Sequence, residues 1–114
     1  MPAPSLTFYT NLVVPGITEN GKAYQLANHS IISTSANYTV LSTDEIILAT
    51  GTITITLPIA SANTGKTYTI KRISTIVTID VTGGGTIDGS TSISIGQQYS
   101  TISVISDGSE WWTI

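Results

Sequence analysis

From Tyr38 onward, apolar and polar side chains alternate. Thr52–Leu57 reads TITITL, which sets Ile53, Ile55 and Leu57 on one side and three threonines on the other. A period of two is the signature of a strand with one buried face. Pro58 has no N–H to give a ladder and ends the run. Val77, Ile79 and Val81 share a face in the same way, opposite Ile76, Thr78 and Asp80. The pattern predicts strands over Tyr38–Leu41, Glu45–Ala49, Thr52–Leu57, Thr67–Ile73, Ile76–Val81, Thr91–Ile95, Tyr99–Ser106 and Glu110–Ile114. Ser74-Thr75 reads as a hairpin turn between the fourth and fifth of these. Asp88-Gly89 and Asp107-Gly108 carry turn chemistry, and Gly83-Gly84-Gly85 is a flexible break that permits positive φ. Many short strands between turns predict an all-β domain, an antiparallel β-sandwich or jelly-roll-like head, over residues 36–114. No internal repeat of fixed period is visible.

Residues 1–35 are patterned differently. They hold Pro2, Pro4 and Pro15, the Asn20-Gly21 pair and the only histidine, His29. An arm or linker to a shaft or capsid is the expectation for this stretch. The opening MPAPSLTFYTN has neither a basic n-region nor an apolar h-region, so no signal peptide is expected.

Composition strengthens the β reading. The 114 residues include 20 Thr, 14 Ser and 18 Ile, whereas Leu occurs only 6 times. β-branched side chains are stiff at χ1 and suit a pleated sheet. Charged residues make up 10%, and the formal net charge is -3. Lys22, Lys66, Lys71 and Arg72 are too few to neutralise a row of phosphates, so nucleic acid is not an expected partner. No apolar stretch is long enough to span a bilayer. Cysteine is absent, which removes disulfides and thiolate chemistry.

The low charge has a further consequence. Ile46–Leu57 contains no charged residue at all. Soluble monomers protect strand edges with Lys, Pro or inward charges, and an uncharged β-rich run with free edges tends to aggregate. Shielding by sister subunits resolves this, so a homo-oligomer is expected.

Little in the chain suggests catalysis. His29 is the only imidazole, no G-x-S-x-G occurs, and Asp44 and Glu45 are neighbours that a strand would point apart. The Gly83–Gly89 stretch lacks the Lys-Ser/Thr ending of a phosphate loop. No enzyme activity, metal site or cofactor is expected. The informative aromatics are Trp111 and Trp112, which must face opposite ways on a strand. Trp112 shares the side of Ile114 and is expected in the core, leaving Trp111 outward as an interface anchor or a sugar platform. Tyr99 is a weaker candidate of the same kind.

Residues 38–114 also carry an ordered set of short motifs. These are the YTV…D opening around Asp44, the TLP-A-AN-GK-YTIK passage from Thr56 to Lys71, the GG-TIDG passage ending at Gly89, and the Y-S-I-ISDG--WW-I close from Tyr99 to Ile114. The succession resembles a β-rich module of phage tail-fibre and viral attachment-fibre proteins. That resemblance implies a homotrimeric structural protein on the virion surface, touching a host receptor and joined to a shaft or capsid protein. The motif residues are turn and core positions, so no binding site is carried over. The functional expectation is host attachment through surface glycans, with Trp111 and Tyr99 as candidate ligand-binding residues. The alternatives are a purely structural fibre spacer or capsid decoration protein, and a cellular carbohydrate-binding module.

Overall fold

The computed structural model describes residues 28–114. Nine short strands form two sheets around one hydrophobic core. The strands are β1 (Ile31–Thr34), β2 (Tyr38–Thr39), β3 (Ile46–Ala49), β4 (Ile53–Leu57), β5 (Thr67–Arg72), β6 (Val77–Val81), β7 (Ser92–Ile95), β8 (Thr101–Ser106) and β9 (Trp111–Thr113). One sheet has the order β1-β3-β5-β8-β9 and the other β2-β4-β6-β7.

Successive strands alternate between the sheets through β6. β1, β3 and β5 stack in parallel in one sheet, and β2, β4 and β6 stack in parallel in the other. Each strand pair β1–β2, β3–β4 and β5–β6 is therefore one rung of a small solenoid-like stack, in which the opposite sheet supplies the crossover between parallel strands. Three antiparallel strands close the stack, β7 on β6, β8 on β5 and β9 on β8.

The expected all-β character holds, and the strand positions match the alternation closely. The expected antiparallel arrangement does not hold for the pairings among the first six strands, which are all parallel. Ser74-Thr75 is a corner between sheets rather than a hairpin turn. Ser74 Oγ accepts the Gly51 N–H at 2.9 Å, and the Thr52 and Thr75 hydroxyls meet at 3.1 Å, so one corner sits on the corner below it. Alternation reports only that one face is buried, and a strand meets that condition whether its neighbour is a hairpin partner or belongs to the opposite sheet.

β1 lies within the stretch expected to be an arm. Ile31–Thr34 pairs in register with Ile46–Ala49, and Ile32 packs on the core. Residues 1–27 of that arm lie outside the described residues.

The alternating faces fill the core as their spacing requires. Ile53, Ile55, Leu57, Val77, Ile79 and Val81 come from one sheet, and Ile47, Ala49, Tyr68, Ile70, Val104 and Trp111 from the other. Residues 87–90 form a two-residue turn closed by Ile87 N–H to Ser90 O at 2.7 Å and Ser90 N–H to Ile87 O at 2.9 Å. Asp88 and Gly89 both have positive φ, 52° and 83°, the type I′ geometry that favours Asp-Gly. Gly83 and Gly84 likewise turn the chain out of β6 with φ of 75° and 78°.

Candidate functional site

Strand register decides what each sheet shows to its surroundings. The outer face of the four-stranded sheet carries the rows Thr54–Thr78–Ser94 and Thr39–Thr56–Asp80–Ser92. Apart from Asp80 these are all short hydroxyl side chains. The outer face of the five-stranded sheet is chemically mixed. Its rows are Ile31–Ile46–Thr69–Ser103, Ser33–Leu48–Lys71–Thr101 and Thr67–Ile105–Trp112.

Trp111 and Trp112 face opposite ways, as alternation requires, but in the reverse sense to the expectation. Trp111 is fully buried and Trp112 is 39% exposed. The Trp111 indole N–H donates to Pro58 O at 2.9 Å, and its ring lies 5.6 Å from that of Tyr68. An indole with no accessible surface offers no platform to a ligand, which removes Trp111 from the candidates in the chain as described. Ile114, on the same side of the strand as Trp112, is 73% exposed and does not mark the inward face. The true inward partner of Trp111 is Ser106, buried beneath it with its hydroxyl donating to Ala60 O at 2.8 Å. A serine in the core gives no hydrophobic signal to read.

Tyr99 is exposed, as expected, and occupies the turn before β8 with φ of 66°. This conformation is uncommon for a side chain of its size. Its N–H donates to Arg72 O at 2.7 Å, and its carbonyl accepts Lys71 Nζ at 2.7 Å. Tyr99 stands at the opposite end of β8 from β9, roughly 20 Å away along the strand. The two candidates from sequence are not brought together.

The structure instead gathers a site around Trp112. Its indole N–H donates to Asp107 Oδ2 at 2.9 Å, which fixes the ring on the surface. Asp107 Oδ1 accepts the Ser109 and Glu110 N–H groups at 2.8 and 2.9 Å. The Glu110 N–H bond, then the Trp112 indole, hold the Asp107 carboxyl below its usual range. Thr67 lies two strands from Trp112 in the same row, about 9.5 Å across the sheet. From there a groove of about 450 Å³ opens, lined by His29, Glu45, Ile46, Gly65, Lys66, Thr67 and Thr69. Thr69 shares a hydroxyl hydrogen bond of 2.9 Å with Ser103.

Charge in this groove is organised by two contacts. His29 Nδ1 is hydrogen-bonded to Glu45 Oε1, and the imidazole faces solvent. That bond lowers the Glu45 carboxyl from its ordinary value. Lys66 places its ammonium 5.3 Å from the centre of the Tyr68 ring. The other two described cations are occupied elsewhere. Lys71 bonds Tyr99 O, and Arg72 bonds the carbonyls of Ser74 and Ile95.

Of the remaining carboxylates, Asp44, Asp88 and Glu110 have structural partners, whereas Asp80 Oδ1 is buried with none among the described residues. Asp44 is buried and accepts the Tyr38 hydroxyl at 2.6 Å and the Leu41 N–H at 2.8 Å. This hydrogen bond, with burial and the Asp44 charge adding to it, pushes the Tyr38 phenol up to about 12. Asp88 accepts the hydroxyl and the N–H of Thr113, in that order of influence, and both lower its carboxyl. Sequence reasoning missed the exposed Trp112 and the groove lined by Glu45 and Lys66, because Thr67 at the rim of that groove reaches the Trp112 row only through cross-strand register. Comparison with family models, curated proteins and solved structures gives no match.

Proposed function

We propose that this chain is a structural module of a viral or phage fibre, assembled as a homotrimer on the virion surface, that attaches to host cells through surface glycans. The observation that carries the attachment reading is Trp112. It is an indole fixed by Asp107 and left 39% exposed beside a groove of hydroxyl and charged side chains. Shallow sugar sites combine an apolar aromatic face with polar partners of this kind. Trp112 takes the role that the sequence reading gave to Trp111.

The sheet edges support self-association. The four edge strands read IIST, YT, SISI and WWT, with no charge and no proline among them. A homotrimer raises avidity because three weak sites engage one cell surface together. The fibre and virion assignment rests on the motif resemblance over residues 38–114.

A glycan array probed with the full chain, alongside its mass in solution at micromolar concentration, tests the proposal. Saturable glycan binding by a particle near three chains in mass is the expected result. A stable trimer that binds no glycan supports the second reading, a structural fibre spacer, which the uncharged edges also favour. A monomer that binds glycans points to a carbohydrate-binding module outside any fibre.

A further inference from the structure

Tyr99 is held in a conformation that its side chain disfavours, and several polar groups keep it there. Its φ of 66° lies in the left-handed region, which is costly for a bulky side chain. The Tyr99 N–H donates to Arg72 O at 2.7 Å, and the Arg72 N–H donates to Ser100 O at 3.0 Å. Lys71 Nζ donates to Tyr99 O at 2.7 Å. Arg72 Nη1 bonds Ile95 O at 3.1 Å, where the same turn leaves β7. The residue clamped in this way is 61% exposed and stands outside the core cluster. Strain kept at a position that does not fill the core points to contact with a ligand.

Tyr99 and Trp112 mark the two ends of one side of β8. Thr101, Ser103 and Ile105 alternate outward along this strand, and Trp112 flanks Ile105. Lys71 pairs with Thr101 and reaches the Tyr99 carbonyl at the far end. Between the two aromatic residues lie Ile105 and short hydroxyl side chains, of which Ser103 is bonded to Thr69 at 2.9 Å. Hydroxyls both donate and accept, which suits the hydroxyls of a sugar. The track is roughly 20 Å long, too far for one sugar ring to meet both aromatics. A chain of several units laid along β8 meets both.

We infer that this face recognises an extended run of a linear glycan, with Trp112 stacking on a sugar at one end and Tyr99 contacting a sugar at the other. This rests on the glycan-attachment reading and names the form of the ligand, a stretch of a long chain rather than a single terminal sugar.

The test titrates the full chain with size-graded oligosaccharides, from monosaccharide to octasaccharide, prepared from a glycan that the array identifies. Affinity is expected to rise with length and then level off, with the longest forms about tenfold tighter than the disaccharide, the scale of one further aromatic contact. Tyr99→Gly is expected to erase that rise, so that long and short forms bind alike. The same variant should hold or raise the urea midpoint, because glycine adopts the left-handed conformation freely. Trp112→Ala is expected to abolish binding at every length. Affinity independent of length, or a rise that survives Tyr99→Gly, overturns the inference and leaves the attachment reading intact. A lower urea midpoint for Tyr99→Gly also overturns it, by making the ring a packing residue. Failure of every saccharide to bind overturns both.

Discussion

The two outer faces are built on the same rungs and differ in almost everything a ligand would meet. On the four-stranded sheet, Thr54, Thr78 and Ser94 sit side by side, with Thr39, Thr56, Asp80 and Ser92 in the next row. Short hydroxyls hydrate such a face and lose little rotamer entropy when ordered, but they offer no apolar plane and little charge. On the five-stranded sheet, Trp112 and Ile105 stand in one row with Thr67, next to Lys66, Glu45 and His29. Alternation makes every strand equally able to display a ligand-binding side chain. Only one face carries a part-exposed indole, and it is the face extended by the late strands β8 and β9.

That contrast depends first on Trp111 being core and Trp112 being surface. Trp111→Ala is expected to cost about 3–5 kcal/mol in urea unfolding, since it empties a fully buried site and strips Pro58 O of its donor. Trp112→Ala is expected to cost under about 1 kcal/mol and to remove saccharide binding. Equal destabilisation by the two variants breaks the assignment of faces.

A smaller effect is expected at the corner beneath both faces. Asp44→Ala leaves the Tyr38 hydroxyl and the Leu41 N–H without their acceptor, at about 1–3 kcal/mol by denaturant titration. The same contact sets a pH limit. The Tyr38 pKa rises from 10.0 unfolded to about 12 folded, so its contribution is complete below about pH 10. It is lost as pH climbs through about 12. Absorbance titration of the folded chain should show Tyr38 and Tyr68 ionising late, and the Tyr38 part of that late phase should move to lower pH in Asp44→Ala.

Tyr68→Phe probes the core behind the groove. The Tyr68 hydroxyl is buried with no partner among the described residues, and burial raises its pKa. Removing it is expected to be neutral or stabilising by up to about 1 kcal/mol. Smallest of all, Thr78→Lys on the hydroxyl face is expected to change stability by no more than about 0.5 kcal/mol and to leave saccharide affinity unchanged. A loss of affinity in that variant would move the site to the other sheet.

Much of the strand layout was legible because burial imposes its period on the sequence. TITITL and VTIDV place their inward residues without any tertiary information. The stacking of rungs was not legible, because the loops that join them differ in length. Residues 40–45 lead from β2 to β3, and residues 58–66 from β4 to β5, so a structural repeat leaves no fixed spacing in the chain. β1 was hidden for a related reason. IIST sits at the sheet edge, where only Ile32 packs on the core and the alternation is short. The site was the least legible part. Trp112 and Thr67 are far apart in sequence and share one face only because Thr67 pairs with Ile105 and Ile105 with Trp112.

The chain has two tryptophans, and so two indole N–H resonances that report separately on the two sides of β9. Titrating a glycan into isotope-labelled protein and following both signals tests the account directly. The Trp112 signal should move saturably together with the amides of Lys66, Thr67 and Thr69, while Trp111 stays in place. Shifts confined to Thr54, Thr78 and Ser94, or no saturable shift at all, would contradict it.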